Sequence, residues 1–327
     1  MKIAILDDYQ DCVRGLTCFA RLAGHEVVVL DQTFSDPAEL ASHLPGVEAL
    51  VLIRERTRIT RALLERLPSL RAISQTGRAG PHIDTAACTA RGVAVLSGSG
   101  SPNAPAELTW ALVLAASRVL AHEAAALRAG RWQTTLGRTV RGRTLGILGY
   151  GNIGRLVAGF GKAFGMQVVS FGREATRARA QADGVPVLAS QRELFAASDV
   201  LSVHLRLVPE TRGIVSADDL AAMKPDSLFV NTSRAELVAP GALLAALQAG
   251  RPGQAAVDVF ESDPGGDAEL IAHPQVLATP HLGYVERDSY ELYFGTAFDN
   301  LLAFAAGAPV NVVNPEALPA NGSPGKA

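Results

Sequence analysis

The chain is poor in cysteine, in net charge and in long apolar runs, and each shortage removes a class of function. Its 327 residues include three scattered cysteines, Cys12, Cys18 and Cys88, with no Cys-x-x-Cys pair and no histidine spacing suited to a metal. That excludes a disulfide framework and a structural zinc site, and no metal is expected. The formal net charge is −2 and no run of five or six like charges occurs, so neither nucleic acid nor an anionic membrane is an expected partner. No segment approaches 18 uninterrupted apolar residues, so no membrane span is expected. The opening MKIAILDDYQ reads as a first β-strand and not as a signal peptide, and the expected location is cytoplasmic. No internal repeat of fixed period is visible.

What is present is 48% hydrophobic and 19% charged residues, the balance of an α/β protein with covered sheets and enough length for two domains. The most informative segment is the apolar run 144–148 entering the turn GYGNIG, residues 149–154, and then a helix-like stretch. Gly149 permits the tight turn, Gly151 lets the backbone approach a pyrophosphate, and Gly154 lets helix and strand pack closely. Asn152 and Ile153 open the helix, whose N-terminus faces the phosphates. These five residues are expected to bind a dinucleotide. The turn sits mid-chain, so about 140 residues upstream have another task.

Short apolar strands are expected at 2–6, 25–30, 49–53, 72–75 and 94–96, with helices between them such as 36–44 and 60–67. Six more strands are expected at 144–148, 167–171, 200–204, 227–231, 254–258 and 276–278. Strands alternating with helices imply parallel, doubly wound sheets, so the predicted fold class is α/β with two such domains. An unusually apolar helix is expected over 104–121, too apolar for one wet face. A last helix is expected at 289–307, residues 309–313 return to the first unit, and a mobile tail follows from Pro315.

Three consecutive strand ends of the second unit carry polar groups where ligands bind in open α/β sheets. They are NTSRAE (231–236), DVFESDP (258–264) and TPHLGY (279–284). Arg234, the aspartates Asp258 and Asp263, and His281 thus converge beside the glycine turn. A cation for a carboxylate, a histidine to exchange a proton and a carboxylate to tune it suit hydride transfer to a 2-oxo acid. Singly, each also fits a surface arginine, a turn aspartate or a loop histidine; jointly, at successive strand ends, they favour chemistry.

In this order the motifs GYGNIG, NTSRAE, DVFESDP and TPHLG, with ELTWALVLAASR and SDVLSVHLRLVPETRGIV, resemble the D-isomer-specific 2-hydroxyacid dehydrogenase family, over nearly the whole chain to about Val313. The resemblance implies a Rossmann nucleotide domain, 104–284, inserted in a discontinuous flavodoxin-like substrate domain, 1–103 plus 285–315, with 316–327 as tail. It implies a homodimer through the nucleotide domains, which would account for the apolar 104–121, and a small 2-oxo or 2-hydroxy acid as substrate. By the same resemblance Arg234 clamps the substrate carboxylate, His281 donates the proton, and Asp258 and Thr232 contact the cofactor. The histidine's partner in that family is a glutamate, and here the position is Asp263, shorter by about 1.5 Å of reach. Backbone N–H groups at Arg78 and Ala79, in QTGRAGPHID (75–84), would grip the carboxylate, and the charge of Arg78 narrows the range towards anions. Formate-type oxidation, which in such relatives goes with a glutamine beside the histidine, is disfavoured by Asp263. A cofactor-sensing binding protein with little turnover is the alternative from another class.

The cofactor is read from FGRE at the end of the second nucleotide-domain strand. Where an NAD enzyme carries Asp or Glu for the ribose hydroxyls, this chain has Gly172 and then Arg173, which favours NADP(H) over NAD(H) through a charge-assisted bond to a 2′-phosphate, while Glu174 turned inward would instead serve NAD. His204 is expected to line the adenine side; His82, near the 75–84 loop, is read first as a structural histidine and only secondarily as a support for that loop. In IRERTR, an extended chain would put Arg54, Arg56 and Arg58 on one side, either as solvated arginines on an edge or with Arg54 meeting a polar or acidic substrate tail.

Overall fold

The computed structural model describes residues 1–261 and 266–318. The chain forms two compact units, one from residues 1–101 and 286 onward, the other from 102–285. The first holds β1 (Lys2–Ile5), β2 (Glu26–Val29), β3 (Ala49–Ile53), β4 (Ala72–Thr76) and β5 (Ala94–Ser97). They pair in parallel in the order β2-β1-β3-β4-β5, the flavodoxin-like arrangement. Every residue of β3 and β4 is buried, as strands covered on both faces must be. Side chains start the covering helices: Asp36 caps Pro37–Ser42, Thr60 caps Arg61–Glu65 and Asp84 caps Thr85–Ala90, each accepting from an otherwise orphaned helix N–H. The helix Arg287–Ala305 returns to this unit, buries Phe294 and Phe298, and accepts a bond from Ser74 in β4 at the Ala297 carbonyl, 2.9 Å.

The second unit holds β6 (Thr144–Leu148), β7 (Gln167–Phe171), β8 (Val200–Val203), β9 (Leu228–Asn231), β10 (Gln254–Val257) and β11 (Val276–Ala278). All pairs are parallel, in the order β11-β10-β9-β8-β6-β7. A single bridge from Ser170 to Val187 extends the β7 edge, completing a Rossmann sheet whose strand order reverses between β6 and β8. Along β9, Leu228 and Val230 face one core layer and Phe229 the opposite one, the period of two that a strand imposes.

Two expectations are corrected. The predicted helix over 104–121 is two helices, Asn103–Ser117 and Leu120–Arg128, bent by 61°. Val119 between them has φ +54, a left-handed conformation that a β-branched residue rarely adopts. The apolarity of the first helix is used within its own unit: Trp110, Leu112, Val113 and Ala116 are buried in the core beside Val157 and Ala158, and Trp110 packs edge-on against Phe164 at 5.0 Å. Among the described residues no single helix is long and apolar enough to cross a membrane. The tail does not start free at Pro315. Asn314 is buried, accepts from Val95 N at 2.7 Å and donates to Val93 O and Thr89 at 3.0 Å, and Pro315–Ala317 forms a turn of 3-10 helix. Residues 319–327 lie outside the described residues.

Candidate functional site

The glycine turn lies at the carboxyl end of β6, where the strand order of the second sheet reverses. Gly149 has φ +96, and a Cβ there would meet His204 O at 2.8 Å and the Leu205 side chain at 2.8 Å. Both conformation and space therefore require glycine. At Gly154 a Cβ would overlap the Gly149 carbonyl, so the helix Asn152–Ala163 sits directly on the turn. At Gly151, by contrast, a Cβ would meet nothing within 4 Å, which leaves room beside the helix N-terminus for an incoming group. The N–H groups of a helix's first turn have no partner within the helix, and an anion there is stabilised by the helix dipole. Close approach of the chain at Gly149, packing at Gly154 and open space at Gly151 fit a dinucleotide pyrophosphate.

The neighbouring strand ends follow in spatial order. After β7, Gly172 lies against the turn, with Gly149 Cα 3.8 Å from where its Cβ would be, and the Thr176 hydroxyl takes up the rest of that space. Arg173 caps the helix Glu174–Ala182 through its carbonyl and leaves its side chain exposed beside Glu174. After β8 comes His204, whose Nε2 meets the Ser202 hydroxyl at 2.8 Å while Nδ1 is shut off from solvent with no hydrogen-bond partner. Burial pushes this imidazole down to about 3 from the usual 6.5, so the ring is neutral, and burial also lowers His82. For a histidine whose folded value is lowered, the unfolded chain takes the proton first on acidification. Stability is therefore complete above 6.5 and declines as pH falls from there towards 3. His204→Gln, which keeps a partner for Ser202 without a titrating ring, is expected to move the acid-unfolding midpoint to lower pH by circular dichroism; an unmoved midpoint would show that the ring plays no part.

After β9 the chain turns through Thr232, Ser233 and Arg234. Buried Asn231 staples this turn, accepting from Ser233 N at 3.0 Å and donating to Arg234 O at 2.9 Å. Arg234 is half-buried and its Nη1 donates to Ser233 O at 2.7 Å. Thr232 meets the hydroxyl of Thr109 at 2.7 Å, and Thr109 in turn donates to Pro105 O, tying the turn to the helix Asn103–Ser117. Neither Asn231 nor Thr109 was singled out by the sequence, because hydroxyl and amide anchors have no spacing signature.

After β10 stands Asp258, fully buried. Its Oδ1 accepts from the Thr279 hydroxyl at 2.6 Å and Leu282 N at 2.7 Å, and its Oδ2 accepts from Gly283 N at 2.9 Å. Burial raises this carboxyl above the ordinary aspartate value, opposed by those donors and by the neighbouring His281. Both oxygens are thus committed to the loop that carries His281, a role its place in the sequence does not reveal. His281 has φ +53 and its ring lies edge-on to buried Tyr284 at 5.4 Å. The left-handed region is uncommon for a residue other than glycine, although histidine enters it more readily than most. Asp258 and Tyr284 hold the strained loop in place around it. Asp263 lies outside the described residues.

In the first unit, the expectation that Arg54, Arg56 and Arg58 share one side fails. The strand stops at Ile53 and Arg54 has φ +56, so the alternation of an extended chain ends there. Arg54 reaches the turn after β4, where its Nη1 lies 2.5 Å from the position a Cβ on Gly77 would take. Arg56 bonds Asp7 O and stacks over the Tyr9 ring at 4.1 Å, and Arg58 is exposed. Arg78 is exposed beside Ala79, whose N–H donates to the Ser97 hydroxyl at 3.1 Å. Among the described residues no cluster of histidine, cysteine and carboxylate side chains suited to a metal occurs.

Comparison with known proteins places these features. The family described as "D-isomer specific 2-hydroxyacid dehydrogenase, NAD binding domain" matches residues 110–283. A glyoxylate reductase of Aeropyrum pernix is 36% identical over 90% of this chain and 91% of its own. A D-3-phosphoglycerate dehydrogenase of Mycobacterium leprae is 38% identical over 76% of this chain, which spans 47% of that longer protein. The crystal structure of a phosphoglycerate oxidoreductase from Vibrio cholerae superposes with a TM-score of 0.91 at 55% identity, covering 94% of this chain and 100% of that one.

Proposed function

The chain belongs to the D-isomer-specific 2-hydroxyacid dehydrogenase family, and from that premise we propose that it interconverts small 2-oxo acids and D-2-hydroxy acids. The observation that carries the reading is the row of strand ends in the second unit. It runs from the glycine turn at the sheet's reversal, past Arg234, to a histidine on a strained loop held by a buried carboxylate. A bound nicotinamide dinucleotide supplies or accepts the hydride. Gly149, Gly151, Asn152, Ile153 and Gly154 seat its pyrophosphate, with His204 and Thr232 along the same edge. Asp258 serves this cofactor side indirectly, by fixing the 279–283 loop.

Arg234 holds the substrate carboxylate and polarises the carbonyl, since a guanidinium matches a carboxylate in fork geometry. His281 gives its proton to the carbonyl oxygen in reduction and takes it back in oxidation. Asp263 is the proposed partner that stabilises the imidazolium. In the first unit, Arg54 and Arg78 favour substrates with a second anionic group, and of the two expected backbone grips the Arg78 N–H is the one proposed for the carboxylate, since the Ala79 N–H is taken by the Ser97 hydroxyl. We assign the protein to a homodimer through the nucleotide units. Support comes from Leu120, Leu127, Trp132 and Leu136, which are 54%, 57%, 76% and 96% exposed just after the helix break, more exposed apolar side chain than one segment ordinarily shows to water.

The cofactor proposed is NADP(H). Gly172 carries no carboxylate to repel a 2′-phosphate, and Arg173 offers an exposed cation at a helix N-terminus. Loss of nicotinamide absorbance with glyoxylate, hydroxypyruvate and longer 2-oxo acids tests the whole reading; absence of turnover across that panel with both cofactors would favour a cofactor-sensing protein. In the same assay Arg173→Ala is expected to raise KM for NADPH about tenfold and for NADH less than about twofold, the range of one charge-assisted bond. Equal effects on both would remove the NADP(H) assignment.

A further inference from the structure

Arg54 holds a backbone conformation that its side chain disfavours, and the structure shows what holds it there. Its N–H donates to the Thr76 hydroxyl at 3.1 Å, and Thr76 passes the bond on to Leu52 O at 2.8 Å. Its carbonyl accepts from Gln75 Nε2 at 2.8 Å, and the same amide nitrogen donates to Thr76 O at 3.1 Å. Both hydrogens of the Gln75 amide are therefore spent on carbonyls. Its Oε1 then faces His82 Nε2 at 2.9 Å and must accept, so His82 carries its hydrogen on Nε2. The other nitrogen, Nδ1, is enclosed without a hydrogen-bond partner, and both His82 and Gln75 are buried.

This chain of bonds has a direction. A Gln75 amide turned over would aim Oε1 at Arg54 O, two acceptors facing each other, and would leave a nitrogen against His82 Nε2–H. The two carbonyls thus set the amide orientation, and His82 completes it by donating to the Oε1 they leave over. The left-handed turn at Arg54 in turn lays its guanidinium over Gly77, where any side chain would collide with Nη1.

We propose that His82 and Gln75 are positioning residues that set Arg54 as the selector of substrates with a second anionic group. The inference rests on the reading of Arg54 as a substrate contact, and it adds a buried pair that touches no substrate. Because they act through Arg54, their loss removes selectivity and leaves proton transfer in place.

The test compares pyruvate with oxaloacetate, which differ by one carboxylate, using kcat and KM for each. Arg54→Ala is expected to lower kcat/KM for oxaloacetate about 100-fold and for pyruvate less than about threefold, as loss of one desolvated charge pair does. His82→Phe is expected to lower the oxaloacetate value about tenfold through KM, with pyruvate unchanged, and His82→Gln, whose amide can donate, to restore most of it. In the double variant the losses are expected not to add, since both act through one group. Should His82→Phe not fold, as judged by thermal unfolding, Gln75→Leu carries the same comparison. A change in Arg54→Ala that spares the ratio of the two substrates would remove the reading of Arg54. A selective Arg54→Ala beside His82 and Gln75 variants that are neutral, unselective or fully additive would overturn the positioning role alone.

Discussion

Replacing His281 by asparagine is expected to lower kcat by about a thousandfold, within the span of general acid–base catalysis, while dinucleotide affinity changes less than about twofold. That loss corresponds to about 4 kcal/mol of transition-state stabilisation. Asparagine is the variant to use because the residue sits at φ +53, a region asparagine tolerates far better than alanine. The clamp from Asp258 to Leu282 N and Gly283 N involves only backbone on the loop side and survives the change. An inactive His281→Asn that still binds NADPH in a fluorescence titration therefore reports the missing proton and not a collapsed loop. Residual kcat within tenfold of the native protein would take His281 out of the chemistry.

The second large effect is expected at Arg234. Arg234→Ala should reduce kcat/KM by about 10³, because it removes a charge-assisted pair from a partly enclosed site and strands the substrate carboxylate. Both kcat and KM should suffer, since the same guanidinium binds the carboxylate and polarises the carbonyl. Arg234→Lys is expected to recover no more than about a tenth of the native value, as a point charge cannot reproduce the planar fork. The fold should be indifferent to both variants: the guanidinium itself donates to Ser233 O, but the Asn231 staple that shapes the turn runs through backbone groups. Equal losses in Arg234→Lys and Arg234→Ala would support the fork; full recovery by lysine would reduce the arginine to a general positive charge.

Much of this was readable before any coordinates. Strand positions followed from short apolar runs, and the turn at Gly149 from glycine spacing after such a run, because both are local properties of the chain. The placing of Arg234, Asp258 and His281 at three consecutive strand ends followed once the strands were in sequence. The failures have equally physical causes. The expected helix over 104–121 breaks at Val119, where nothing in the local pattern marks a stop and the residue turns left-handed. The three arginines of IRERTR scatter because the strand ends at Ile53 and Arg54 is turned by bonds from Gln75 and Thr76, more than 20 residues away.

The sequence alone determined the class of fold, the dinucleotide turn and the residue types at the strand ends, since these depend on hydrophobic period and on what glycine, arginine and histidine can do. Only the tertiary structure decided which groups hold those residues in place. Asp258 anchors the His281 loop from another strand, Asn231 staples the Arg234 turn, and Gln75 with His82 sets Arg54. Such roles depend on hydrogen-bond geometry between segments that only folding brings together, and a linear pattern has no period or spacing that encodes it.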